Sequence, residues 1–177
     1  MTAGQLIVFC TGTIFLVFFS WFLSLREGRY HGIPRFFAFE GLMALFLLDL
    51  PVWFKNPFSP AQIVSWLLFI VSMYYAFTAF FLFRRYGKHG RNFEKTTQLV
   101  TKGLYRYIRH PMYGSLLCLG WGMFFKSVTW QDFVIIVITS VALYITAKIE
   151  EKEMLKKFGE EYDTYRMKTK MFIPFIY

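Results

Sequence analysis

One stretch near the middle of the chain, Leu99-Val100-Thr101-Lys102-Gly103-Leu104-Tyr105-Arg106-Tyr107-Ile108-Arg109-His110-Pro111-Met112-Tyr113, sets cations, aromatics and a glycine directly before an apolar run, and Glu150-Glu151 follow on a charged segment further along. Residues of these types can recognise a polar, partly anionic molecule at a membrane surface. Pro111 suits the first position of a helix, where its missing N–H costs nothing, so Arg109 and His110 stand at the mouth of that helix. Free backbone donors and the helix dipole there attract a carboxylate or a phosphate, and two cations deepen the attraction. Gly103 lets the chain turn and lets a ligand approach the backbone closely. Each residue also has an ordinary role. An interfacial arginine snorkels to headgroups, a histidine caps or packs, and Tyr105, Tyr107 and Tyr113 suit an aromatic belt. Glu150 and Glu151 can pair with Lys148 or Lys152 along a helix.

The elements that must position this set are membrane-length helices. The 177 residues are 56% hydrophobic and 22% aromatic, with a mean hydropathy of +0.40, which excludes an ordinary soluble domain and predicts an all-α integral membrane protein. Apolar runs at 4–25, 36–54, 61–83, 111–125 and 131–147 predict five spans in a single membrane domain, 1–177, because a bilayer core asks for ~20 apolar residues per helix. The first run has no basic residue before it and no small-residue cleavage site, so it reads as a retained span.

Charge distribution orients these spans. With the N-terminus outside, Arg26, Arg29 and Arg35, eight Lys/Arg of 84–110 and seven of the tail fall inside, leaving only Lys55 and Lys126 outside. That bias follows the positive-inside rule, so the formal charge of +9 reports topology and anionic headgroups and not nucleic acid. The outer loops are tight, as at Asn56-Pro57-Phe58-Ser59-Pro60, whereas the inner connector 84–110 and tail 148–177 are too long for simple joints. Function belongs on the inner face.

A helix continuing from the fifth span into the tail places Met154, Leu155, Tyr162 and Tyr165 within about 60° of Phe158. Glu151 lies about 20° from the middle of that stripe and Glu150 about 80° from it, while Glu153 faces water. Glu40 and Asp49 in the second run are intramembrane acids and hence functional candidates, although a spacing of nine puts them on opposite faces. Glu40 is a candidate for substrate contact; Asp49 caps a helix end or meets Lys126. Gly114, Cys118 and Gly122 form a small-residue seam for close helix packing. Cys10 and Cys118 both lie in apolar runs and read as packing residues, so neither a disulfide nor a metal framework is indicated.

The ordered elements L-V-T-x-G-x-Y, R-H-P-x-Y, E-E, F-G-x-x-Y and a closing I-P, here Leu99 to Tyr105, Arg109 to Tyr113, Glu150-Glu151, Phe158 to Tyr162 and Ile173-Pro174, resemble the isoprenylcysteine carboxyl methyltransferase and phospholipid N-methyltransferase superfamily of integral-membrane enzymes. The resemblance covers roughly the C-terminal half. It implies S-adenosylmethionine as methyl donor, held on the cytoplasmic side by Thr97, Gln98, Leu99, Val100, Gly103, Tyr105, Arg109, His110, Pro111, Met112, Tyr113 and Glu150, with Arg109, His110, Glu150 and Glu151 as catalytic candidates. Thr146, with Lys148 nearby, stands where the family tends to keep an arginine before the first glutamate. The basic residue expected just before I-P is displaced, since Met171 follows Lys170. A prenylcysteine carboxylate, a lipid amine and a small hydrophobic molecule all remain possible acceptors.

Methyl transfer from a sulfonium to a carboxylate or thiolate needs alignment and dryness more than a strong base, whereas an amine must lose a proton, which Glu150, Glu151 or His110 could accept. No G-x-G-x-x-G occurs, which argues against a Rossmann-like donor site. Two rivals remain: a membrane lipid or sterol reductase using NADPH, with Arg84 and Arg85 at its 2′-phosphate, and a nonenzymatic scaffold gathering anionic lipid. The partners expected are membrane lipid and a lipophilic or lipid-anchored substrate, with no obligate protein partner, in a prokaryotic plasma membrane.

Overall fold

The computed structural model describes residues 2–87 and 98–174. They form α1 (Ala3–Leu23), α2 (Gly32–Asp49), α3 (Pro60–Tyr86), α4 (Pro111–Ser127), α5 (Trp130–Phe158) and α6 (Glu160–Lys168), with single 3-10 turns at Leu25–Glu27, Leu50–Val52 and Gly103–Arg106. Among the described residues no β-strand is present, and one isolated bridge joins Ile108 to Lys170 in parallel.

Local chemistry explains the helix ends. The Thr2 hydroxyl accepts from the Gln5 backbone while the Gln5 side chain accepts from Thr2 N–H, a reciprocal cap at the start of α1. Thr129 caps α5 through its hydroxyl alone, Oγ1 accepting from Asp132 N–H at 3.2 Å and donating to the Asp132 carboxylate. Pro111 opens α4, as its lack of an N–H favours. A positive φ of 54° at Gly159 separates α5 from α6. The continuous tail helix expected from periodicity is therefore two helices, because an α-helical repeat cannot pass through that conformation.

Three helices, α1, α3 and α5, are long and apolar enough to cross a membrane. The other two expected spans fall short: α4 has 17 residues, and the 18 residues of α2 include Arg35, Glu40 and Asp49. Phe15, Phe18, Leu67, Ile70, Phe77 and Ile138 are large apolar side chains left exposed on the three long helices, as a bilayer-facing surface requires.

The chain divides into two compact units. The first comprises 1–69 and 117–150, the second 70–116 and 151–177. In the first, Leu42, Leu45, Met123, Ile136 and Leu143 form the buried interior, and Gly41 and Gly120 give the close approaches that Thr139, and Leu42 with Ile136, occupy. The seam faces α3, Gly122 meeting Phe69 in this unit and Gly114 meeting Tyr75 in the other. Lys126 is buried within the first unit, 3.4 Å from the Trp66 ring centroid and donating to Gln62 Oε1 at 2.8 Å. Asp49, fully buried, has Lys126 and Ser127 near it, which accords with the expected meeting of acid and lysine.

In the second unit Val100 and Tyr105 pack on Ala79, flanked by Leu82, Phe83 and Tyr86 of α3. This plants the connector on the C-terminal end of α3. Ile108, Tyr162, Tyr165, Met171 and Phe172 complete that unit's interior.

Candidate functional site

The centre of the second unit is built where the end of the connector runs beside the tail. Lys170 N–H donates to Tyr107 O at 2.9 Å, Arg109 N–H to Lys170 O at 2.8 Å and His110 N–H to Met171 O at 3.1 Å. These short ladders pin residues 170–171 against the start of α4, so two backbone donors that the sequence left open to an anion serve the protein's own tail. Behind them Gly114 faces Phe172 O, where a Cβ would come within 3.3 Å.

Arg109 holds this assembly together. Its Nε–H donates to Glu151 Oε1 at 2.7 Å, and its Nη1 donates to Arg166 O at 3.1 Å and to Thr169 O. One guanidinium thus ties α4, α5, the end of α6 and the tail, the fork geometry that lysine cannot supply. It turns inward on these partners, where the ordinary interfacial role would send it to headgroups.

Glu151 is 4% exposed and lies beyond the apolar part of α5, which ends at Ala147. Burial works to raise its pKa, but hydrogen bonds from His110 and Arg109 and the arginine charge outweigh that and hold the carboxyl down at about 2. A carboxylate held so low is a weak base, which makes Glu151 the anchor of the assembly. His110 Nε2 lies 3.6 Å from the same oxygen, and its ring stacks on Tyr113 with centroids 5.7 Å apart and tilts on Phe172. The imidazole is packed on two rings and lies beside the Glu151 carboxylate.

The 3-10 turn Gly103–Arg106 is fixed from both sides. Gly103 has a φ of +60°, and a Cβ there would lie 2.6 Å from Leu82 Cδ1. Tyr165 O–H donates to Tyr105 O at 2.7 Å, and burial raises the pKa of that phenol, so it remains a donor. Between connector and tail lies a recess of about 410 Å³ lined by Leu99, Thr101, Arg106, Glu161, Thr164, Tyr165, Lys168 and Thr169.

The expected site residues distribute as follows. Arg109, His110, Tyr113 and Glu151 come together in the second unit. Val100, Tyr105 and Pro111 are buried supports, Leu99 lines the recess, and Gln98 and Met112 are exposed. Thr97 lies outside the described residues. Glu150 belongs to the first unit, where its carboxylate lies 3.7 Å from His31 Nε2. Thr146, at the family's arginine position, is buried and donates to Ala142 O along its own helix. Glu40 accepts from Thr13 Oγ1 at 3.2 Å.

Two contributors escaped the sequence reading. The carbonyls of Arg166 and Thr169 show no side-chain signal, so nothing in residue type could reveal them.

The family described as phospholipid methyltransferase matches residues 60–161. Among curated proteins, a methanethiol S-methyltransferase of Crocosphaera subtropica is 33% identical over 79 residues, covering 43% of this chain and 29% of that protein. Methanethiol S-methyltransferase 1 of Bradyrhizobium diazoefficiens is 27% identical over 71 residues, 40% of this chain and 24% of that protein. The counterpart from Pseudomonas deceptionensis is 31% identical over 71 residues, 40% and 26% respectively. The chain thus spans under a third of the length of each of these relatives.

Proposed function

Because the chain belongs to the phospholipid methyltransferase family, we propose that it transfers a methyl group from S-adenosylmethionine to a small lipophilic nucleophile at the inner membrane face, with an alkyl thiol as the leading acceptor. The observation that carries this reading is the buried Arg109–His110–Glu151 assembly, which locks the tail onto the start of α4 and borders the recess through Thr169. The thiol is favoured by the methanethiol S-methyltransferase activity for which the relatives are named, and the family's own description keeps a phospholipid amine as the second acceptor.

The residues present fit the donor. A recess of about 410 Å³ falls within the ~300–1,000 Å³ typical of small-molecule sites, and its lining pairs an acid, Glu161, with the cations Arg106 and Lys168. An amino-acid zwitterion needs those two signs close together, while Leu99 and Tyr165 offer apolar surface to a base. Bound there, S-adenosylmethionine supplies a methyl on a sulfonium. The chain's own work is to orient and to keep dry: Arg109 and Glu151 hold the tail in place, Tyr165 holds the Tyr105 turn, and His110 is kept at one angle by Tyr113 and Phe172. This suits a thiolate, which needs alignment and no strong base.

The same proposal takes α2 and α4 as shorter spans completing five, with the N-terminus outside, an arrangement supported by the gathering of 18 of the 20 Lys and Arg on one side. Detergent-purified protein incubated with methyl-labelled donor and either methanethiol or a lipid extract tests the acceptor. Label in dimethyl sulfide is the expected outcome; label only in the phospholipid fraction would transfer the proposal to the amine, and label in neither would refute it.

A further inference from the structure

We infer that the C-terminal end of α3 carries a binding site for an anionic phospholipid, with Arg84 and Arg85 taking the phosphodiester and the apolar face of the helix before them taking the acyl chains. The site is separate from the recess proposed for the methyl donor, since neither arginine nor any residue of that face lines the recess, and it stands or falls independently of the donor reading. A lipid such as phosphatidylglycerol has no amine to methylate, so it binds here as a fixed lipid and not as a methyl acceptor.

The face is continuous and of the right length. α3 is one of the helices long and apolar enough to cross a membrane. At about 100° per residue, Ile70, Tyr74, Phe77, Phe81, Arg84 and Arg85 fall within an arc of about 100°, with Ile70, Tyr74, Phe77 and Phe81 57–64% exposed. From Ile70 to Phe81 the rise is about 16 Å, close to one leaflet of a hydrocarbon core of roughly 30 Å. Both arginines lie in the last turn of the helix and are exposed, at the level where such a core gives way to headgroups. Ala79, Leu82, Phe83 and Tyr86, against which the connector packs, take the other side of α3, so holding the connector does not cover this face.

Chemistry at the two ends of the face selects the occupant. A recess of about 380 Å³ is lined by Phe81, Arg84 and Arg85, so an aromatic ring and two guanidiniums meet where an acyl chain would join its headgroup. The Arg85 guanidinium lies 5.5 Å from the Tyr86 ring centroid and the Lys102 ammonium 4.9 Å from the same centroid, which puts these two cations within about 10 Å of each other. The helix dipole accounts for cations in the last turn of α3, but not for Lys102, which belongs to the connector. Among the described residues no carboxylate pairs with Arg84, Arg85 or Lys102. Like charges gathered in this way repel one another, and an anion placed beside them relieves the repulsion. Arginine meets a phosphate with two parallel N–H donors. A soluble anion would use the charges and leave the apolar face bare, and a zwitterionic lipid would bring its own ammonium toward the cations. An anionic phospholipid satisfies both halves.

The test titrates the full chain, in a neutral detergent, with fluorescent phosphatidylglycerol and with phosphatidylcholine of the same chains, read by anisotropy. Saturable binding of phosphatidylglycerol to wild type is expected, at least tenfold tighter than phosphatidylcholine. Arg84→Gln/Arg85→Gln should weaken phosphatidylglycerol about twentyfold, because each Lys or Arg near an anionic headgroup is worth roughly fivefold. Lys152→Gln/Lys156→Gln removes the same charge from exposed positions elsewhere and should cost no more than about twofold. Equal affinity for the two lipids, equal losses in the two double variants, or unchanged binding in Arg84→Gln/Arg85→Gln would overturn the assignment. Displacement of the probe by an equal concentration of glycerol 3-phosphate or NADPH would give the arginines to a soluble phosphate and overturn the lipid equally. Should the double arginine variant fail to fold, Arg84→Gln alone replaces it, with about a fivefold loss expected and no loss contradicting the site.

Discussion

At the scale of single residues, Arg109 and Glu151 bear the most, because they are partners that neither can lose cheaply. Breaking a largely buried ion pair leaves a charge without compensation. Glu151→Gln should therefore destabilise the protein by about 2–3 kcal/mol, seen as a lower melting temperature in detergent at neutral pH. The pH dependence has a fixed sign. A carboxyl ordinarily near 4.5 but held at about 2 in the folded state favours folding above its unfolded pKa, and that contribution disappears as pH falls from about 4.5 toward 2. Melting temperatures across that window should drop in the wild type, and the drop should be smaller in Glu151→Gln; equal slopes would show that other carboxylates carry the acid sensitivity. Sequence disclosed the identities of these residues, since Arg109, His110 and Glu151 stood out by type and spacing. It did not disclose that four main-chain carbonyls and Glu151 would claim Arg109 and His110, because a carbonyl is common to every residue.

Elements decide whether those residues meet. The helix pattern was legible: all five apolar runs became helices, since period and length are properties of local sequence. The tail was misjudged at one point, Gly159, whose positive φ turns α6 away from the line of α5 and so brings the Arg166 carbonyl to Arg109. A helical wheel treats glycine as a weak helix former and cannot foresee left-handed backbone. The same conformation governs Gly103, where two costs coincide. Gly103→Ala imposes an unfavourable φ and drives a Cβ against Leu82, so it should destabilise by roughly 1–3 kcal/mol. Gly103→Ala combined with Leu82→Ala should recover the steric part alone. Melting temperatures of the two variants check this, and an unaffected Gly103→Ala would mean the turn is not required in this form.

For the whole molecule, the sequence predicted a membrane protein, and the long apolar helices and the family match agree with that; the gathering of function on the inner side belongs to the proposal. The number of spans was less legible because α2 and α4 sit near the threshold of length and charge at which a helix crosses by itself; tertiary packing, not hydropathy, decides such helices. The central claim is that the connector and tail, fastened by Arg109, form the seat of the methyl donor. Calorimetric titration of S-adenosylhomocysteine into the detergent-purified chain and its Arg109→Ala variant tests it most directly, with NADPH as the competing ligand. The account predicts saturable binding to wild type, at least a tenfold weaker affinity for the variant, and no heat from NADPH; equal affinity in the two proteins, or binding of NADPH alone, would contradict it.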